Sequence, residues 1–362
     1  MKPWIAAMHA YVPGKARADG VPVVAKLSSN ENPWGPSPRA VAAMQAVVAD
    51  GHRYPDPAST ALRDALGAVH GVDPANIICG TGSDEILHMI ASAFAGPGDE
   101  IIHVRHGFAV YDGATRRVGA TPVVAPDVDY TADVGALIAA ITPATRILYL
   151  ANPNNPTGTL LPAADIRRLI AAVPPHVLLV LDCAYAEFVD GEYEDGLALA
   201  PRQPNLIVTR TFSKIHGLAA QRIGWAVAAA PIIDALERVR GPFNVTSTGQ
   251  AAAIASLADA DHIAMVRRDT IRLRSWLASE IMALGNAGLR AIPSACNFIL
   301  VEFPEDGPIS AADCNQFLLG RGIICRYLAV QNMPRCLRIS IGTQAETEAV
   351  AAALREFVEH AA

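Results

Sequence analysis

Apolar residues recur along this chain in short, nearly unbroken runs separated by segments with helical spacing. The runs at 77–79, 100–104, 121–124, 146–150, 177–181, 205–209 and 224–228 have strand length and are rich in Val, Ile and Leu. A strand that is apolar on both faces belongs to a parallel sheet covered by helices. Helix-like segments at 84–95, 163–172 and 231–240 lie between these runs. Together they predict an α/β unit with a mostly parallel, seven-stranded sheet, whose ligands collect beyond the C-terminal strand ends. From about residue 271 the pattern changes to a long helix, sparser strands at 298–302 and 337–341, and a closing helix at 344–359. That predicts a smaller α+β domain. The first few dozen residues, rich in Pro, Gly and Asn, read as an arm. The expected division is an arm (1–36) packing with the small domain, a large domain (37–270) and a small C-terminal domain (271–362).

Composition narrows the function classes. The 362 residues can bury a large core, and 51% are hydrophobic against 18% charged. The balance of 29 basic against 35 acidic residues, without a basic cluster, argues against nucleic acid as a partner. The six cysteines show no metal-binding or CxxC spacing, so they read as buried free thiols and no metal is expected. The start, Met1-Lys2-Pro3-Trp4, lacks a signal peptide, and no apolar stretch is long enough to cross a membrane. The expected compartment is the cytoplasm.

Candidate chemistry sits where the runs end. Lys214 follows the run at 205–209, in Thr211-Phe212-Ser213-Lys214, with Arg222 eight residues on. Two hydroxyls and a guanidinium near one lysine place an amine beside an anion site. A phosphorylated aldehyde such as pyridoxal phosphate needs that pairing, because its aldehyde condenses with a lysine and its phosphate needs donors. Asp182 ends the run at 177–181, where a carboxylate can pair with a protonated pyridine nitrogen; Tyr185 could donate to the cofactor's phenolic oxygen. Taken alone, Asp-x-x-Tyr is an ordinary strand-end turn. Asn152-Pro153-Asn154-Asn155-Pro156-Thr157-Gly158 is a rigid loop able to hold an amide in place. Gly80-Thr81-Gly82-Ser83-Asp84-Glu85 opens a helix whose free amides can cradle a phosphate, although Ser or Asp before Glu is also plain capping.

Taken together, these residues resemble the fold type I pyridoxal-phosphate aminotransferases over nearly the whole chain. Within them the chain is similar to the histidinol-phosphate aminotransferase group, through Lys26-Leu27-Ser28-Ser29-Asn30-Glu31-Asn32-Pro33, Arg53-Tyr54-Pro55-Asp56-Pro57 and Cys336-Leu337-Arg338-Ile339-Ser340-Ile341-Gly342-Thr343. The resemblance implies that Lys214 is the Schiff-base lysine, that Asp182 pairs with the ring nitrogen, and that Asn155 and Tyr185 bond the phenolic oxygen. It implies Phe108 stacked on the ring, and a phosphate cradle of Gly82, Ser83, Asp84, Thr211, Ser213 and Arg222. Tyr54 matches a tyrosine that reaches the phosphate across a dimer interface, so a homodimer with shared sites is implied. Arg338 and Arg326 match arginines that grip the substrate's acidic group, with Asn32 and Asn244 as further contact candidates. Trp34 and Val330-Gln331-Asn332-Met333 depart from the group's pattern near the expected substrate mouth.

The implied function is a ping-pong aminotransferase passing the amino group of L-histidinol phosphate to 2-oxoglutarate, as in histidine biosynthesis. An aromatic amino-acid aminotransferase is the alternative. A threonine-phosphate decarboxylase comes third, and a non-catalytic regulatory module is the alternative of another class.

Overall fold

The computed structural model describes residues 1–8 and 20–361; the part of the expected arm at 9–19 lies outside them. All seven apolar runs form one sheet. Across it the strands run Ile77–Gly80, Gly224–Ala228, Leu206–Thr211, Leu178–Asp182, Thr145–Ala151, Glu100–Val104 and Thr121–Ala125. Only Gly224–Ala228 is reversed, pairing antiparallel with both its neighbours. Every residue of Leu178–Asp182, Leu206–Thr211 and Gly224–Ala228 is buried, as unbroken apolar runs require. Leu148, Leu179 and Val208 enter the core on one face, and Ile147, Val180 and Ile207 that on the other. Each such side chain contributes about 1.5–3 kcal/mol when fully buried, so the sheet is a rigid platform.

A second sheet of four antiparallel strands runs Arg290–Ile292, Phe298–Glu302, Cys336–Ser340 and Arg326–Tyr327. Helices Ala311–Gly320 and Gln344–Ala361 supply apolar residues to its core, among them Leu318 and Leu354. The long helix Ala260–Met282 starts before the expected boundary at 271 and serves both units. Its Val266 packs with Tyr185 and Ile215, whereas Leu273, Leu277 and Ile281 enter the small core.

Two residues of the arm, Ala25–Lys26, pair in parallel with Ile323–Ile324 of the small unit. Farther back the short helix Pro3–Ala6 lies against the large unit, where Trp4 Nε1 donates to the Arg117 carbonyl at 3.2 Å. All six cysteines are buried and free. Among the described residues, no helix is long and apolar enough to cross a membrane and no side-chain cluster could hold a metal.

Candidate active site

The C-terminal ends of the central strands, the small sheet and residues 28–31 of the arm enclose a cavity of about 310 Å³. Its wall includes Lys214, Asp182, Tyr185, Asn155, Phe108, Ser83, Asp84, Thr211, Ser213, Arg222, Arg326 and Arg338. Residues spread over the whole chain therefore meet in one place. Tyr54, Gly82, Asn32 and Asn244 are not on that wall.

Asp182 is buried at the foot of the cavity, where its carboxylate accepts from the Tyr111 hydroxyl at 2.9 Å and from Thr209 Oγ1 at 3.1 Å. Burial pushes its pKa up to about 6, and these two bonds only partly oppose it. Among the described residues the side chains bonded to Asp182 are the neutral Tyr111 and Thr209, so a protonated ring nitrogen would supply the opposite charge. Tyr111 stacks on Tyr149 at 4.8 Å and meets Phe108 edge-on at 5.7 Å, so the wall aromatic and the carboxylate share one support.

Lys214 follows the strand Leu206–Thr211, and its Nζ lies 5.6 Å from the centre of the Tyr185 ring. Burial, then the positive charge of Arg338, brings its pKa down to about 8. Its loop is clamped by the arm: Asn32 Nδ2 donates to the Ile215 carbonyl at 2.8 Å, and Gly217, at φ +67°, lies where a Cβ would strike the Gly35 carbonyl. Asn32 therefore serves the lysine loop rather than the cavity wall.

An anion site adjoins the lysine. The helix Ser83–Phe94 starts after Gly82, which offers it no side-chain cap, and Arg222 lies beside it. A Cβ on Gly82 would sit 2.6 Å from Arg222 Nη2, so only glycine leaves the guanidinium that position. Gly224 approaches closer still, its ideal Cβ falling 2.2 Å from the Ser83 amide nitrogen. Arg222 Nη1 donates to Ser213 Oγ at 3.3 Å. The Asp84 carboxylate is 3.8 Å from Arg222 Nη2; a carboxylate would repel a phosphate, so the group that Asp84 offers an anion is its backbone N–H in the first turn. Asn244 is turned elsewhere, donating to Glu85 at 2.8 Å and accepting from Arg240 at 3.0 Å. Uncapped amides with Arg222 at one end, and at the other a buried carboxylate bonded only by hydroxyls among the described side chains, fit pyridoxal phosphate.

Arg326 and Arg338 stand opposite each other on neighbouring antiparallel strands, both 7% exposed. Arg338 donates to Asn155 Oδ1 at 2.6 Å and to the Ser28 carbonyl at 2.8 Å. In the unusual segment at 330–333, Gln331 lines the cavity and Met333 is buried in a cluster with Leu300 and Leu328. Trp34 packs between the core of the small unit and the cluster around Tyr185, away from the wall. Tyr54 is 82% exposed and stacks on Phe243 at 4.4 Å.

Sequence reasoning did not single out Tyr111 or Thr209 at this site, whereas Gln331, in the segment expected near the substrate mouth, does line the cavity. Tyr111 sits on a helix face like any core aromatic, and Thr209 inside a strand like any β-branched filler. The one usable signal for Thr209 was a hydroxyl in register with Asp182 on the next strand.

Known proteins place this geometry. The family profile for aminotransferase class I and II matches residues 22–354. A histidinol-phosphate aminotransferase of Sphingopyxis alaskensis is 54% identical over 98% of this chain and 96% of its own length. One from Erythrobacter litoralis is 50% identical over 100% and 98%. The solved structure of histidinol-phosphate aminotransferase from Sinorhizobium meliloti, in complex with pyridoxal-5'-phosphate, superposes with a TM-score of 0.92 at 32% identity, covering 100% of this chain and 98% of that one. With its fold, its cavity and these likenesses in agreement, the chain belongs to the class I and II aminotransferases.

Proposed function

We propose that this protein transfers the amino group of L-histidinol phosphate to 2-oxoglutarate, giving imidazole acetol phosphate and L-glutamate, with pyridoxal phosphate as cofactor. The observation that carries the substrate is the pair Arg326 and Arg338, set opposite each other at the cavity. Two planar guanidinium groups give a doubly charged phosphate several charge-assisted bonds, whereas a carboxylate needs one bidentate partner. The relatives carrying the histidinol-phosphate name at about half identity support the same choice.

Pyridoxal phosphate, when bound, supplies the aldehyde that takes up the amine and the ring that accepts the electron pair released at the substrate carbon. The chain does the rest. Lys214 would hold the cofactor, and its Nζ would move the proton at the reacting carbon. With a pKa near 8 it is neutral often enough to act as a base. Asp182 holds the proton on the ring nitrogen. Asn155 and Tyr185 orient the phenolic side, Phe108 covers the ring, and Ser83, Asp84, Thr211, Ser213 and Arg222 hold the phosphate. The arm to 36, the cofactor-binding unit from 37 to 270 and the small unit beyond then meet around one substrate.

The test compares kcat/KM for histidinol phosphate, phenylalanine and tyrosine under identical conditions, with 2-oxoglutarate as acceptor. Histidinol phosphate is expected to lead by more than tenfold, the margin of one charged contact in a desolvated pocket. A lead for phenylalanine or tyrosine moves the function to an aromatic aminotransferase.

The same reading makes the protein a homodimer in which Tyr54 serves the neighbouring subunit's phosphate. Its exposure, away from its own cavity wall, supports this. Mixing an inactive Tyr54 variant with inactive Lys214→Ala protein is expected to restore part of the activity, because heterodimers gain one intact site. No recovery, with subunit exchange confirmed, rules out the shared site.

A further inference from the structure

Asn30, the first asparagine of Asn30-Glu31-Asn32, is 1% exposed and bonded at every polar position. Its backbone N–H donates to Ser340 Oγ at 2.8 Å, and its carbonyl accepts from Asn297 Nδ2 at 3.0 Å. The Ser340 hydroxyl donates in turn to Asn30 Oδ1 at 3.0 Å. That bond fixes the amide's orientation, so Nδ2 is the group facing Tyr185, and it donates to the phenol oxygen at 2.9 Å. The consequence for Tyr185 is directional. Its oxygen accepts from Asn30, and among the described residues its own proton has no acceptor. Its ring is held edge-on against Phe298 at 5.3 Å, with the side chain on the cavity wall.

We propose that Asn30 is a positioning residue, which fixes the Tyr185 hydroxyl as a hydrogen-bond donor into the cavity, toward the phenolic oxygen of pyridoxal phosphate. This rests on the cofactor reading above. The amide cannot accept the phenol's proton at Nδ2, so it leaves that proton only one direction to go. Asn30 sits at φ +55°, a left-handed conformation, and is tied to Ser340, two residues beyond Arg338 on the same strand. The arm thus joins the substrate strand to the cofactor's phenolic side. Burial raises the Tyr185 pKa by more than the Arg338 charge and the Asn30 bond lower it, which keeps the phenol a neutral donor.

Two substitutions separate positioning from structure. Asn30→Gly suits the left-handed backbone and removes only the amide. Asn30→Asp is isosteric and reverses the bond, since a carboxylate accepts the phenol's proton and draws it from the cavity. The readouts are the absorbance of the loaded holoenzyme titrated against pH, the dissociation constant of pyridoxal phosphate, and the melting temperature without cofactor. Tyr185→Phe serves as the reference. A cofactor oxygen that loses its donor holds its own proton more tightly, so the spectral midpoint moves up. Tyr185→Phe and Asn30→Asp are expected to raise it by about one pH unit or more, with Asn30→Gly moving less in the same direction. Cofactor affinity is expected to fall by up to about tenfold, with the melting temperature of the cofactor-free protein little changed. If both Asn30 variants titrate at the wild-type midpoint while Tyr185→Phe shifts, the proposal is overturned. A wild-type protein that takes up no pyridoxal phosphate would overturn the cofactor reading and this proposal with it.

Discussion

Lys214→Ala is expected to lower kcat/KM by at least about 10⁴-fold, the upper range for one positioned acid–base group, since the residue both anchors the cofactor and moves the proton. Borohydride treatment is expected to leave cofactor fixed to the wild-type chain and none fixed to the variant. The fold survives the change, because the lysine faces a cavity rather than a packed core. Full turnover by the variant without an added amine would sink the assignment. A pH signature accompanies it. The neutral amine is the form that captures an aldehyde, and burial with Arg338 holds the Lys214 pKa near 8. Loading of cofactor-free protein should therefore quicken as pH rises and level off above about 8. An ordinary lysine would go on gaining speed past pH 10. Arg338→Ala removes the larger of the two positive charges that lower it, so its levelling point is expected to move upward.

The second large effect concerns the arginine pair. Loss of one charged contact in a desolvated pocket costs about 2–5 kcal/mol, more than tenfold in kcat/KM. Arg326→Ala is expected to weaken histidinol phosphate by that margin and glutamate less, because the smaller anion can be held by Arg338 alone. Arg338→Ala is expected to damage both half-reactions, since that guanidinium also bonds Asn155 and the arm at Ser28. Arg326→Lys keeps the charge but loses the planar fork, so only partial recovery is expected. Measuring each half-reaction separately decides the matter. Equal losses for both substrates on Arg326→Ala would remove its selective role and leave it a general anion contact.

Much of the fold was legible because its central strands are buried on both faces. Glu100–Val104 and Gly224–Ala228 match the expected bounds, and the other five differ by a residue or two at their ends. The long helix was misplaced for the converse reason. Its first turns, Ala-Asp-His-Ile-Ala-Met-Val-Arg-Arg from residue 260, carry scattered apolar positions and two arginines, and only the packing of Ile263, Met265 and Val266 reveals their inner face. At the site, residues in strand-end motifs could be found, since the topology fixes where such ends point. Asparagines could not be ranked. Asn30 and Asn32 stand two positions apart in one motif, yet the first bonds Tyr185 and the second the backbone of the lysine loop. Which amide turns inward depends on the left-handed backbone at Asn30, which no local pattern announces. Tyr111 and Thr209 stayed hidden because their role is to bond another side chain across the fold.

The single reversed strand has a bearing on how the chain tolerates insertion. Because Gly224–Ala228 runs against its neighbours, it begins at the edge where Leu206–Thr211 finishes, with Thr211 and Gly224 in register. Lys214, Ser213 and Arg222 thus ride one short excursion with both ends pinned. Its closure entropy is small, and the distance between amine and guanidinium is set locally, not by the relative placement of the two units. A few added residues anywhere between Lys214 and Arg222 would let the two ends of one ligand drift apart. The exposed turn around Glu305 and Asp306, in contrast, borders no such pair and can lengthen at little cost.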